Sequence, residues 1–113
     1  MSLKDQILAA NDVKAEPVAV PEWNCTVFIK TMSGHDRDHW ESLAFPEGKP
    51  VEHGYRVTLL LVALVDEKGE RVFSDADINL LSGKSSGVIN RLYDVAARMN
   101  GLTRTDEEAA IKN

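Results

Sequence analysis

Along the second half of the chain, apolar and polar positions recur at helical spacing between clear stop signals. Val88, Leu92, Val95, Ala96 and Met99 share one face, and Asn90, Arg91, Asp94 and Arg98 the other. That pattern predicts an amphipathic helix starting at about Ser85 or Ser86. Asn100-Gly101-Leu102 closes it, because glycine ends a helix in the left-handed region at no steric cost. Upstream, Ser74 with Asp77 predicts the start of a short helix, and Gly83 is expected to stop it in the same left-handed way. Asp66-Glu67-Lys68-Gly69 is a turn, and Val72-Phe73 a short extended piece.

The first half alternates between the two periods. Ser2 and Asp5 frame a short helix to about Ala10, with Leu3, Ile7 and Leu8 on one face. Ala15 to Val20 is extended, and Pro17 assigns it to an edge. Trp23 to Thr31 alternates as a strand, with Trp23, Cys25, Val27 and Ile29 on the inner face. The two segments join through Pro21-Glu22 and can pair. Ser33 with Asp36 opens a helix that carries Trp40, Leu43 and Ala44. Residues 44–54, with two prolines and two glycines, are expected to form a mobile loop. Arg56 to Val65 is almost continuously apolar and therefore buried, but its period decides nothing: Val57, Thr58, Val62 and Val65 favour strand, and Leu59, Leu60, Leu61, Ala63 and Leu64 favour helix. Thr103 with Asp106 frames a last helix of little apolar face, so residues 103–113 are expected to fray. These elements predict a single α+β domain over residues 1–113, mainly helical, with a small hairpin or sheet near the N-terminus.

Composition narrows the function classes. The chain of 113 residues is 43% hydrophobic, close to the globular norm. Its net charge is −5, and its basic residues form no stripe, which argues against nucleic acid. One cysteine permits no internal disulfide. The longest apolar run, Leu59 to Val65, is too short to span a membrane, and the first ten residues lack the apolar core of a secretion signal.

No candidate cluster makes a convincing reactive centre. His35 and His39 share a helix face, but a metal needs further ligands, and His53 is the only other histidine. Cys25 is expected to be a small buried residue on the Trp23 side of its strand. Gly83-Lys84-Ser85 imitates a phosphate loop without its upstream glycine or preceding strand. Asp66, Glu67, Asp75 and Asp77 do not follow calcium-loop spacing. We therefore expect no catalytic, metal or cofactor site and no enzymatic activity.

The order of short motifs carries a resemblance. Val65-Asp66-Glu67-Lys68-Gly69-Glu70-Arg71-Val72-Phe73-Ser74-Asp75-Ala76-Asp77, then Lys84-Ser85, then a helix closed by Asn100-Gly101-Leu102, resembles the tail assembly chaperones of long-tailed bacteriophages. The opening Met1 to Leu8 with Asp12, Val20-Pro21-Glu22-Trp23, and Met32-Ser33-Gly34 ahead of Arg37 and Asp38 are similar as well. The likeness is weakest over Phe45–Tyr55 and the last ten residues. It tips Arg56–Val65 to helix. It implies a holdase that keeps the tape measure protein soluble while the tail tube assembles, acting in the host cytoplasm and absent from the mature virion. It also implies contact with the tail tube protein and with a frameshifted longer form of the same chain, and a homo-oligomer. An accessible apolar surface is the physical requirement. Phe45, Val51 and Tyr55 in the loop are the expected contacts for the tape measure, along with the edge of the Val88–Met99 helix; the alternative is that Phe45 and Tyr55 only anchor the loop to the core. Leu3, Ile7 and Leu8 are the expected contacts between copies. A structural head–tail connector or tail terminator, and a small metal-dependent enzyme or regulator, are the competing readings.

Overall fold

The computed structural model describes residues 2–102. At its centre is the segment whose period was undecided. Tyr55–Ala63 is a helix, here α3, and every residue in it except Arg56 is buried. It is enclosed by α2 (Gly34–Ala44), α4 (Ile78–Ser82) and α5 (Ser86–Met99). Such enclosure removes the need for a polar stripe. The chain then turns extended at Leu64, and Leu64–Val65 forms a strand, β3. The leucine-rich part is thus helix, and the final pair pleats.

β3 completes a sheet that the sequence reading left at two strands. β1 (Ala15–Val20) pairs antiparallel with β2 (Cys25–Lys30), from Ala15 opposite Lys30 to Val20 opposite Cys25. β2 pairs antiparallel with β3 through Phe28–Val65 and Ile29–Leu64. The order β1-β2-β3 leaves β1 at an edge, as Pro17 requires. The resulting architecture is the α+β domain expected, with five α-helices among the described residues.

Some boundaries differ from expectation. Trp23 does not begin β2; it ends a 3-10 turn, Pro21–Trp23, in which proline takes the first position. Asn24 then adopts φ 54, a left-handed conformation that asparagine tolerates, and this starts the strand at Cys25. Cys25 is exposed rather than buried. It occupies the first position of β2 beside the turn, where alternation alone does not guarantee cover. Gly83 ends α4 with φ −77, so no left-handed residue stops that helix. Gly101, at φ +68, does close α5 in the expected manner, with the Leu102 N–H donating to Ala97 O at 2.9 Å. The capping expected at Thr103 and Asp106 lies outside the described residues.

The caps that anchor the helices match the sequence. Ser33 and Asp36 exchange both bonds of a capping box at 3.1 Å each. Ser2 Oγ accepts from the Asp5 N–H at the start of α1 (Leu3–Ala9). At Ser74, both the N–H and the hydroxyl donate to Asp77 Oδ2.

Candidate interaction surface

Two surface features and one packed cluster bear on function. The packed cluster is aromatic. The 44–54 segment turns through a short 3-10 element, Pro46–Gly48, and returns with the Val51 N–H donating to Ala44 O at 2.9 Å. This brings Phe45 edge-on to Trp40 at 5.9 Å and to Tyr55 at 5.7 Å between ring centroids. Tyr55 stands 6.2 Å from Tyr93 of α5. Tyr55 is buried, whereas Phe45 and Val51 are half-buried and pack against the core. The expected loop residues are therefore neighbours. Tyr55 forms the floor, and Phe45 and Val51 reach the surface.

The first surface feature is α1. None of its residues is buried; Leu3 is 71%, Ile7 63% and Leu8 72% exposed. The structure does not bring α1 into the aromatic cluster.

The second feature escaped the sequence reading. Trp23, Phe73, Leu80, Leu81 and Lys84 line an apolar groove of about 310 Å³. Leu80 on its wall is 70% exposed, nearby Val72 50% exposed, and Leu81 fully buried at the base. Lys84 Nζ lies 6.0 Å from the Trp23 ring centroid, within cation–π range. The groove combines residues from three separate segments, so no local pattern announces it.

Three of the polar residues weighed in the sequence, His39, Asp75 and Asp66, make structural contacts. His39 Nε2 lies 2.8 Å from Asp75 Oδ2, and Arg71 donates to Asp75 Oδ1 at 2.9 Å. His39 and Arg71 together hold the Asp75 carboxyl below the usual carboxylate range. Arg71 Nε also donates to Leu61 O at 2.7 Å, satisfying a carbonyl in the last turn of α3. Asp66 accepts from the Lys68 and Glu70 N–H groups in its turn. Lys84-Ser85 links the end of α4 to the start of α5, with no strand before it. Among the described residues, no group of three His, Cys, Asp or Glu side chains is placed to hold a metal ion, and no helix is long and apolar enough to cross a membrane.

Ion pairs tie the hairpin to α5. Arg91 makes a two-point contact with Glu22 at 2.8 and 2.9 Å, and Arg98 reaches Glu16 at 3.0 Å. The Arg91 hydrogen bonds, aided by a backbone donor, lower the Glu22 carboxyl to about 2. At Asp36, burial pushes the carboxyl up, but the Lys30 and Ser33 donors outweigh it and hold the group low.

The family model described as phage tail assembly chaperone matches residues 2–112. The chain belongs to the phage tail assembly chaperone family. It is similar in fold to the solved structure of the bacteriophage HK97 tail assembly chaperone, with a TM-score of 0.60 and 22% identity, over 85% of this chain and 91% of that one. No curated protein matches. Family membership supports a chaperone role in phage tail assembly, and a chaperone family suggests a non-enzymatic protein.

Proposed function

We propose that this tail assembly chaperone binds the tape measure protein and keeps it soluble in the host cytoplasm while tube subunits assemble, then is left out of the finished virion. The observation that carries this is the family match over residues 2–112. A holdase needs apolar contact area on a soluble, charged body. The chain has such area at Phe45 and Val51 above the aromatic floor, on a protein of net charge −5. A long amphipathic client helix would lie across that ledge and the neighbouring edge of α5. The proposed role uses no catalytic group, metal or cofactor.

The test is co-expression with the tape measure protein of the same phage. The client is expected to move into the soluble fraction and to co-purify with the chaperone, and mass spectrometry of purified virions is expected to lack this chain. A client that stays insoluble, or stoichiometric recovery of the chain in virions, would reject the proposal. The second outcome would favour a connector or terminator.

A further inference from the structure

We propose that the cavity between the first turns of α3 and α5 receives an acidic side chain of a partner peptide, a Glu or Asp flanked by an apolar residue. This site does not depend on the tape measure reading. It starts from a local reversal of charge. The chain carries a net charge of −5, yet the cavity, of about 410 Å³, is lined by Arg56, Lys84 and His53 and by no aspartate or glutamate. Ser82, Lys84 and Ser86 on its rim are exposed, so it opens to solvent.

The side chains define the ligand. Arg56 supplies a planar fork that matches a carboxylate. Its guanidinium carbon stands 5.7 Å from the Tyr93 ring centroid, a stacking contact that restricts its rotamers. Lys84 sits on the short link between α4 and α5 and adds a second, flexible cation. Ser82 and Ser86 contribute hydroxyl donors. The Lys84-Ser85 pair, which lacks the setting of a phosphate loop, thus borders a cavity of another kind. The backbone adds to the field. Among the described residues, neither α3 nor α5 has a side-chain cap or an acidic residue in its first turn, unlike the Ser33 start of α2 with Asp36. The positive ends of both helix dipoles therefore reinforce the three basic side chains.

The walls favour a peptide carboxylate over a bare anion. Val57, Ile78 and Ile89 line the cavity beside the cations. An inorganic anion leaves those walls wet, whereas the methylene stem of a glutamate, or an apolar neighbour in the same peptide, covers them. A few placed polar groups against apolar walls is the usual make-up of a small-ligand pocket, and the volume falls in that range. A flat protein surface would not enter it; a side chain would. Asp106-Glu107-Glu108 of the same chain carry similar chemistry, so the experiment must tell a partner from the chain itself.

The test is a titration of the isotope-labelled full-length protein with the probe acetyl-Leu-Glu-Leu-amide, followed by amide NMR shifts. Saturable shifts centred on Arg56, Ser86 and Gly87 are expected. Changing the probe's Glu to Gln is expected to weaken binding by about tenfold, and so is Arg56→Gln or Lys84→Gln in the protein. Lys84→Arg is expected to retain binding, and circular dichroism of all three variants is expected to match the wild type. A variant with Asp106→Asn, Glu107→Gln and Glu108→Gln is expected to bind the probe with unchanged affinity. A gain of about tenfold there would show that the chain's own acidic run competes for the site and would overturn the assignment to a partner. No saturable shift, equal binding of the Gln probe, or binding that survives both Arg56→Gln and Lys84→Gln would overturn the proposal. So would inorganic phosphate that binds as tightly as the probe, which would leave an adventitious ion only.

Discussion

The indole of Trp40 donates to the hydroxyl of Thr58 at 3.1 Å, and that hydroxyl in turn donates to Tyr55 O at 2.6 Å. Trp40 and Thr58 are each 1% exposed, so α2 and α3 are joined by a polar relay shielded from bulk solvent. Thr58→Val keeps the shape but strands the indole N–H. We expect a loss of about 1–3 kcal/mol, read as a lower urea midpoint with an unchanged slope. Thr58→Ser should lose less. An unchanged midpoint in Thr58→Val would show that the relay contributes nothing.

Phe45 and Tyr55 should separate on substitution by serine. Tyr55 is a floor residue at 6% exposure, whereas Phe45 is half-buried. Tyr55→Ser is expected to cost about 3–5 kcal/mol, in line with removing a large core side chain. Phe45→Ser should cost less and retain the fold, and on the proposed function it should lower client solubility. Equal destabilisation by the two, with holdase activity unaffected by Phe45→Ser, would place both residues in the core and neither at the contact.

Acid should loosen the hairpin from α5. The Glu22 carboxyl drops from 4.5 to about 2 through its Arg91 hydrogen bonds. A folded-state value below the unfolded one means the stabilisation is complete above pH 4.5 and disappears as pH falls through about 2. Asp36 and Asp75, both lowered from 3.8, act in the same direction. Compared with the wild type, Glu22→Gln should therefore be less stable near neutrality, and the gap should close across that acid window. A gap that is constant with pH would remove the ion pair from the explanation.

Asn100 is more than a helix stop. Its Oδ1 accepts from the Met32 N–H at 2.7 Å, and its Nδ2 donates to Lys30 O at 3.2 Å and to Ala96 O at 2.9 Å. Asn100→Ala should cost about 1–3 kcal/mol by leaving part-buried backbone groups unpaired. Asn100→Asp keeps the acceptor but turns an oxygen toward two carbonyls, so it should not restore stability. Thermal or urea midpoints equal to the wild type in either variant would contradict this role.

These residues also show what the sequence made readable. Ser33/Asp36 and Asn100-Gly101-Leu102 announce themselves because a cap is a local hydrogen-bonding problem with few solutions. Pro17 gave away its edge position for the same reason. Phe45 and Tyr55 stand out in the sequence as aromatic residues at the two ends of one loop, and the structure packs their rings together. β3 was hidden, because two residues carry no period, and their pairing with Phe28 and Ile29 comes from far along the chain. Cys25 misled because alternation assigns a face and says nothing about where cover ends. The groove of Trp23, Phe73 and Leu80 was hidden most deeply, since its walls meet only after the hairpin and α4 are packed.

Pro17 has one more consequence. A paired proline turns its nitrogen to the open side of the strand and offers no N–H there. The exposed margin of β1 is thus a poor template for another β-strand. Copies crowded together at high concentration would otherwise risk zipping into cross-β aggregates. A missing hydrogen atom at one edge steers crowded copies away from that route.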